Sequence, residues 1–178
     1  MSAPVAAEGA APPPLPDIAA RLACDPALAA QASAIHAAAF NGEVPGRAWS
    51  AAEIAGFAAV PGALALLDAD ALLLGRVAGP EAELVTLATR PEARRRGLGR
   101  ALTARFAELV AAAGVQEAFL EVAQTNAPAR ALYSALGWVA VGRRRDYYRD
   151  VNGNRIDAVA MRLRPGRHEV QASGDRTS

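Results

Sequence analysis

Two residues twelve positions apart have the types needed to move protons in opposite directions. Glu121 stands between Leu120 and Val122 in the apolar run Phe119–Ala123, which reads as a strand. A strand buried on both faces is normally apolar throughout, so a carboxylate in its middle needs a partner or a task. Tyr133 comes next, in a helical stretch that Asn126 is placed to cap. Asn126, Arg130 and Tyr133 fall at i, i+4 and i+7, which puts them on one helix face. A carboxylate accepts a proton from an attacking group, and a phenol supplies one to a leaving group. Plainer readings stand beside this one. Glu121 pairs with an arginine, and Tyr133 packs in the core with its hydroxyl at the rim.

A second group of residues lies upstream. Leu84–Thr89 reads as a strand, and Arg90-Pro91 as a turn. Arg94-Arg95-Arg96-Gly97-Leu98-Gly99-Arg100 then runs into a helix over 97–112. Leu98, Leu102, Phe106, Leu109 and Val110 give that helix an apolar stripe. The first amides of a helix have no partner inside it and carry partial positive charge. Gly97 and Gly99 lack a Cβ, so an anion could approach the backbone closely. The arginines add fixed charge and bidentate donors. Strand, glycine loop and helix together suit a pyrophosphate. The stretch has no Lys, which excludes G-x-x-x-x-G-K-[ST], and Leu102 stands where a dinucleotide fingerprint needs its third glycine.

The pattern that fits is [QR]-x-x-G-x-[GA] between strand and helix, and it resembles the acetyl-CoA-binding motif of the GNAT acetyltransferases. Downstream, "LEV", a polar loop with Asn126, "ALY..LGW", "GRRRDYY" and "DAVAM" resemble the RimI branch of that family. The resemblance covers about Ala32 to Leu163. It implies an α/β GNAT fold: a mixed, mostly antiparallel sheet with a splayed parallel strand pair, flanked by helices. It also implies acetyl transfer from acetyl-CoA to a protein's N-terminal amine, the RimI-like acceptor being the N-terminal alanine of a small-subunit ribosomal protein. By resemblance Glu121 is the general base and Tyr133 the general acid. Leu87, Ala88 and Thr89 lend backbone to pantetheine, Arg94 to Arg100 hold the pyrophosphate, and Asn126 lies beside the CoA arm. Departures from the family pattern gather on the acceptor side. Pro45 and Trp49 are separated, and the stretch before Asp25 is a poor first strand. Acetylation of a small-molecule amine or an internal lysine, and a non-catalytic CoA-binding module, are the alternative readings.

The remaining elements must position these groups. Asp17–Cys24 is ambiguous between strand and helix. Asp25-Pro26 starts a helix running to about Phe40, with Leu28, Ala32, Ile35 and Ala39 inward and His36 read as a partly buried helix residue in preference to a catalyst. Ser50 and Glu53 form a capping box. Ala63–Leu67 and Ala71–Ala78 form a hairpin, and Val115–Ala123 is the strand after the crossover, parallel to Leu84–Thr89. Leu132, Ala135 and Leu136 point inward from the next helix, which Gly137 stops. Trp138–Tyr148 and Ile156–Leu163 pair around Asn152-Gly153.

The 178 residues suit one domain over 17–164, with an Ala/Pro-rich extension at 1–16 and a polar tail at 165–178, both expected to be disordered. Net charge is +1, but residues 1–90 hold 4 Arg against 9 acidic residues, and residues 91–178 hold 15 against 9. All the basic residues are Arg. The balance does not point to nucleic acid. The basic excess falls where the anionic ligand is expected. The single cysteine, Cys24, forms no disulfide within the chain, and with His36 and His168 far apart no metal cluster is expected. No stretch reads as a signal peptide or a membrane span, so a cytoplasmic protein is expected.

Overall fold

The computed structural model describes residues 17–42, 46–150 and 152–166. The proposed extension, most of the proposed tail, Pro45 and His168 lie outside them. Asp17 resolves the ambiguous first segment. Its carboxylate accepts from the Ala19 amide at the start of helix α1 (Ala19–Cys24) and from the Ala65 amide in the sheet. Asp25 caps α2 (Pro26–Ala39), accepting from Ala27 and Leu28 with Pro26 in the first turn. Ser50 and Glu53 close a reciprocal capping box on α3 (Ala51–Ala58).

Among the described residues six strands make up the sheet. Strands β1 (Ala63–Leu67) and β2 (Ala71–Ala78) form the expected hairpin. Strand β3 (Glu81–Thr89) begins three residues earlier than expected. A short 3₁₀ turn, Pro91–Ala93, leads toward α4 (Leu98–Ala112), which crosses over to β4 (Glu117–Ala123). Helix α5 (Ala127–Ser134) precedes β5 (Val139–Arg149) and β6 (Arg155–Leu163). The strand order is β1-β2-β3-β4-β6-β5, with β3 and β4 parallel and the other described neighbours antiparallel.

Two cores sit on opposite faces. On one, Leu102, Phe106 and Val110 of α4, with Tyr133 and Trp138, pack over Leu73, Leu84, Leu120, Val122 and Met161. On the other, α1, α2 and α3 bury Leu22, Ile35 and Ile54 against Ala65, Leu72, Leu74 and Ala88. Ala135 is exposed and belongs to neither core, contrary to expectation. It lies beyond the last helical residue, Ser134, where the chain is already turning toward the left-handed Gly137.

Two features shape the sheet around the site. Across β2 and β3, Leu74 faces Thr86 and Gly75 faces Leu84, so Val85 is an extra residue, a β-bulge. Ala82 and Leu84 belong to the α4 face, whereas Ala88 belongs to the α1–α3 face. The second feature is the short reach of the parallel pair. It runs only from Glu81 opposite Glu117 to Leu84 opposite Leu120. Past Leu84, at the bulge, β3 leaves β4 and the sheet opens.

Candidate functional site

The glycine loop sits at the mouth of that opening. Gly97, in the left-handed conformation at φ 85°, is the N-cap of α4, and no side chain caps the helix. Helices α2, α3 and α5 are closed by Asp25, Ser50 and Asn126. The leading amides of α4 therefore face outward as donors without a side-chain acceptor. A Cβ on Gly99 would lie 3.4 Å from Leu132, 3.5 Å from Leu87 and 3.9 Å from Thr89 Oγ1. The loop thus abuts the free end of β3 and helix α5. Leu87 and Thr89 point toward the loop, while the Ala88 side chain is buried on the other face.

The arginines of the loop differ in their ties. Arg96 lies 3.6 Å from Asp70, which also faces Arg90 at 3.7 Å. Arg94 reaches the Ala39 carbonyl at 3.5 Å. Arg95 is exposed and holds φ 66°, and Arg100 is exposed in the first turn of α4. Asn126 spends its side-chain oxygen on the Ala129 amide, as the cap of α5.

Glu121 lies on the face of β4 away from α4. It lines an open cleft of about 330 Å³ with Arg76, Glu81, Glu83, Phe119 and Arg144. The α1–α3 layer covers β1, β2 and the bulged end of β3, and among the described residues this half of the sheet is uncovered. Glu121 is paired: its Oε1 is 2.6 Å from Arg144 Nε. The plain reading of Glu121 as an arginine partner therefore describes this conformation.

Tyr133 lies on the α4 side of β4, 6% exposed, its ring 6.1 Å from that of Trp138. Glu121 and Tyr133, paired in the sequence by type and spacing, flank β4 from opposite sides. The link between them is Tyr148, which sequence reasoning did not single out. Its hydroxyl donates to the Glu121 carbonyl at 3.2 Å. Burial, then Tyr147 and Glu121, push its pKa up to about 12. Burial, and secondarily Tyr148, raise the Tyr133 phenol well above its ordinary value. Both phenols therefore keep their protons at neutral pH. The doubled tyrosine in "GRRRDYY" was the available signal for Tyr148.

His36 is buried between α2, β3 and the segment entering α3. Its Nδ1 accepts from the Trp49 amide at 3.2 Å, so Nε2 carries the proton and donates to Thr86 Oγ1 at 3.2 Å. Its ring stacks on Phe40 at 4.3 Å. Burial, aided by Arg47 and opposed by Glu53, lowers its pKa to about 4. It is a neutral imidazole on the α1–α3 side of the sheet.

Comparison with known proteins gives the fold a lineage. Residues 62–148 match the FR47-like protein family. The fold is that of the GNAT acetyltransferases. It is 40% identical over 93 residues to the [ribosomal protein bS18]-alanine N-acetyltransferase of Escherichia coli, an alignment covering 52% of this chain and 62% of that enzyme. The chain thus spans less than two thirds of that relative's length. A crystal structure of the ribosomal-protein-S18-alanine N-acetyltransferase from E. coli superposes with a TM-score of 0.69 at 29% identity, over 82% of this chain and 92% of the other. The fold is also shared with yncA of Salmonella typhimurium, solved with its cofactor acetyl-CoA (TM-score 0.66, 18% identity, 84% of this chain and 95% of the other). Among the described residues no helix is long and apolar enough to cross a membrane.

Proposed function

We propose that this chain of GNAT fold transfers acetyl from acetyl-CoA to the N-terminal α-amine of a protein, with the N-terminal alanine of a small-subunit ribosomal protein as the acceptor that its relatives favour. The observation carrying the reading is a coincidence of place. The helix that starts without a side-chain cap begins where β3 parts from β4, and Glu121 stands on the far side of that parting.

In this reading the pyrophosphate rests on the amides of Gly97, Leu98 and Gly99, with Arg94, Arg95, Arg96 and Arg100 around it. The backbone of Leu87, Ala88 and Thr89, past the last β4 pairing, is available to the pantetheine amides, and Asn126 lies beside the CoA arm. The acceptor enters from the uncovered face. An α-amine has a pKa near about 8 and arrives mostly protonated. Glu121 takes that proton, directly or through water, and the free amine attacks the thioester carbonyl without an acyl-enzyme. Tyr133, protonated throughout the neutral range, donates to the departing sulfur. An exposed cysteine on α1, Cys24, has no part in the scheme.

The test is an acetylation assay on purified protein. Acetyl-CoA is supplied with peptides beginning in alanine, and products are read by mass spectrometry. A protein N-terminal acetylase gives α-acetylated peptide and loses kcat/KM when residues after the first are changed. Equal turnover of small amines or of lysine side chains would overturn the acceptor assignment. CoA binding without any acetylated product would overturn the reaction.

A further inference from the structure

The Glu121 carboxylate is occupied from the opposite strand. Besides Arg144, the Tyr147 hydroxyl donates to it, and this bond to an anion is the chief reason the Tyr147 phenol is raised. The Arg144 guanidinium also lies 5.7 Å over the Tyr147 ring. Both residues flank or belong to a second irregularity of the sheet. Arg144 faces Ala158 and Tyr148 faces Ile156, so Arg145, Asp146 and Tyr147 crowd against Asp157 alone. Asp157 pins this bulge, accepting from the Asp146 amide at 2.9 Å and pairing with Arg143. Asp146 holds φ 57°, a conformation uncommon for a side-chain-bearing residue. A shaped backbone thus aims a cation and a phenol at one carboxylate.

The two ion-pair partners are unequally placed. The Glu121 side chain is 16% exposed and fixed in mid-strand, whereas that of Arg144 is 64% exposed. The guanidinium reaches over the rim, and Glu81 and Glu83 line the same cleft as other anions it can face once it leaves. Withdrawing a mostly solvated cation costs little, whereas leaving a sheltered carboxylate without a counter-charge costs more.

We infer that Arg144 is an exchangeable occupant of the acceptor-amine seat: its guanidinium covers the Glu121 carboxylate while no acceptor is bound, and the acceptor ammonium enters by displacing it. The inference rests on the reading of Glu121 as the base. It makes Arg144 a positioning and specificity residue. An acceptor must bring a cation that outcompetes a tethered guanidinium, which a neutral group does not.

The experiment is steady-state kinetics with an alanine-initiated peptide on wild type, Arg144→Ala and Arg144→Gln, the last keeping much of the side chain should the first unfold. The acceptor KM falls by about two- to fivefold in both variants, the range expected on removing a partly solvated ion pair. The acetyl-CoA KM does not change with it. Methylguanidinium, refilling the vacated seat, inhibits both variants competitively against peptide and does so more weakly in wild type. An acceptor KM that rises or stays unchanged in Arg144→Gln overturns the exchange. Glu121→Gln separates this from failure of the underlying reading. Wild-type kcat in Glu121→Gln removes the base assignment and the exchange with it, whereas a lost kcat beside an unchanged KM in Arg144→Gln removes the exchange alone.

Discussion

At the scale of single residues, the roles of Glu121 and Tyr133 separate by kinetics. Removing a positioned proton carrier typically costs about 10²- to 10⁴-fold. Glu121→Gln is expected to lower kcat within that range while leaving acetyl-CoA affinity intact, as measured by isothermal titration. Tyr133→Phe should also lower kcat, but by less, because a phenol held above its ordinary pKa gives up its proton reluctantly. Wild-type turnover in either variant would refute that residue's role. Sequence spacing singled out both side chains but not that they sit on opposite faces of β4. Each of Arg143, Arg144 and Arg145 could have paired with Glu121 on sequence grounds. The surplus Val141, between Ala140 opposite Met161 and Gly142 opposite Ala160, puts Arg144 rather than Arg143 on the Glu121 face, and no local letter announces it.

At the scale of elements, α4 is held to the sheet by one missing side chain. A Cβ on Gly75 would lie 2.5 Å from Phe106 Cε2 and 2.9 Å from the Glu83 carbonyl. Gly75→Ala forces Phe106 out of its seat and should lower stability by about 1–3 kcal/mol, the usual cost of overpacking, read from chemical denaturation. The two loop glycines then part company. Gly97 needs its left-handed φ, so Gly97→Ala costs on the order of 1 kcal/mol of strain even though nothing crowds its Cβ. Gly99→Ala meets only ordinary contacts and should fold normally. Its expected effect is on acetyl-CoA affinity, through a methyl group at the amides proposed to hold pyrophosphate. Unchanged affinity would count against that loop. The helix starts and hairpin turns were legible because Asp25-Pro26, Ser50 with Glu53, and Asn152-Gly153 are local signals. The Val85 bulge was not, because Leu-Val-Thr-Leu-Ala-Thr reads as an unbroken strand. An extra residue shows only against its partner strand.

At the scale of the whole molecule, the helical layer opposite α4 is tied to the sheet through His36, whose ring bridges Thr86 of β3 and the Trp49 amide. Its folded pKa of about 4 lies below the unfolded value near 6.5. The unfolded chain therefore binds a proton that the native state refuses. This group adds no penalty above pH 6.5, and stability falls as pH drops from 6.5 toward 4, by up to about 3 kcal/mol in all. Below about pH 4 its contribution levels off. Arg47 and Glu53 act on the same ring with opposite signs, so burial sets the direction. Thermal melts of wild type and His36→Gln between about pH 7.5 and about pH 4.5 should show a shallower acid slope in the variant. Parallel slopes would discard the imidazole as the cause. The fold family was readable from sequence because its motifs lie in contiguous runs. The His36 bridge was not, since Thr86 is 50 residues away.

The single surplus residue in β3 also sets an odd–even rule for the rest of that strand. With Val85 present, Leu87 and Thr89 look toward Gly99, and Thr86 and Ala88 look toward α2. Pairing β3 straight through Val85, with no bulge, would swap the two sets at a stroke. The His36 ring would then face an apolar side chain in place of the Thr86 hydroxyl.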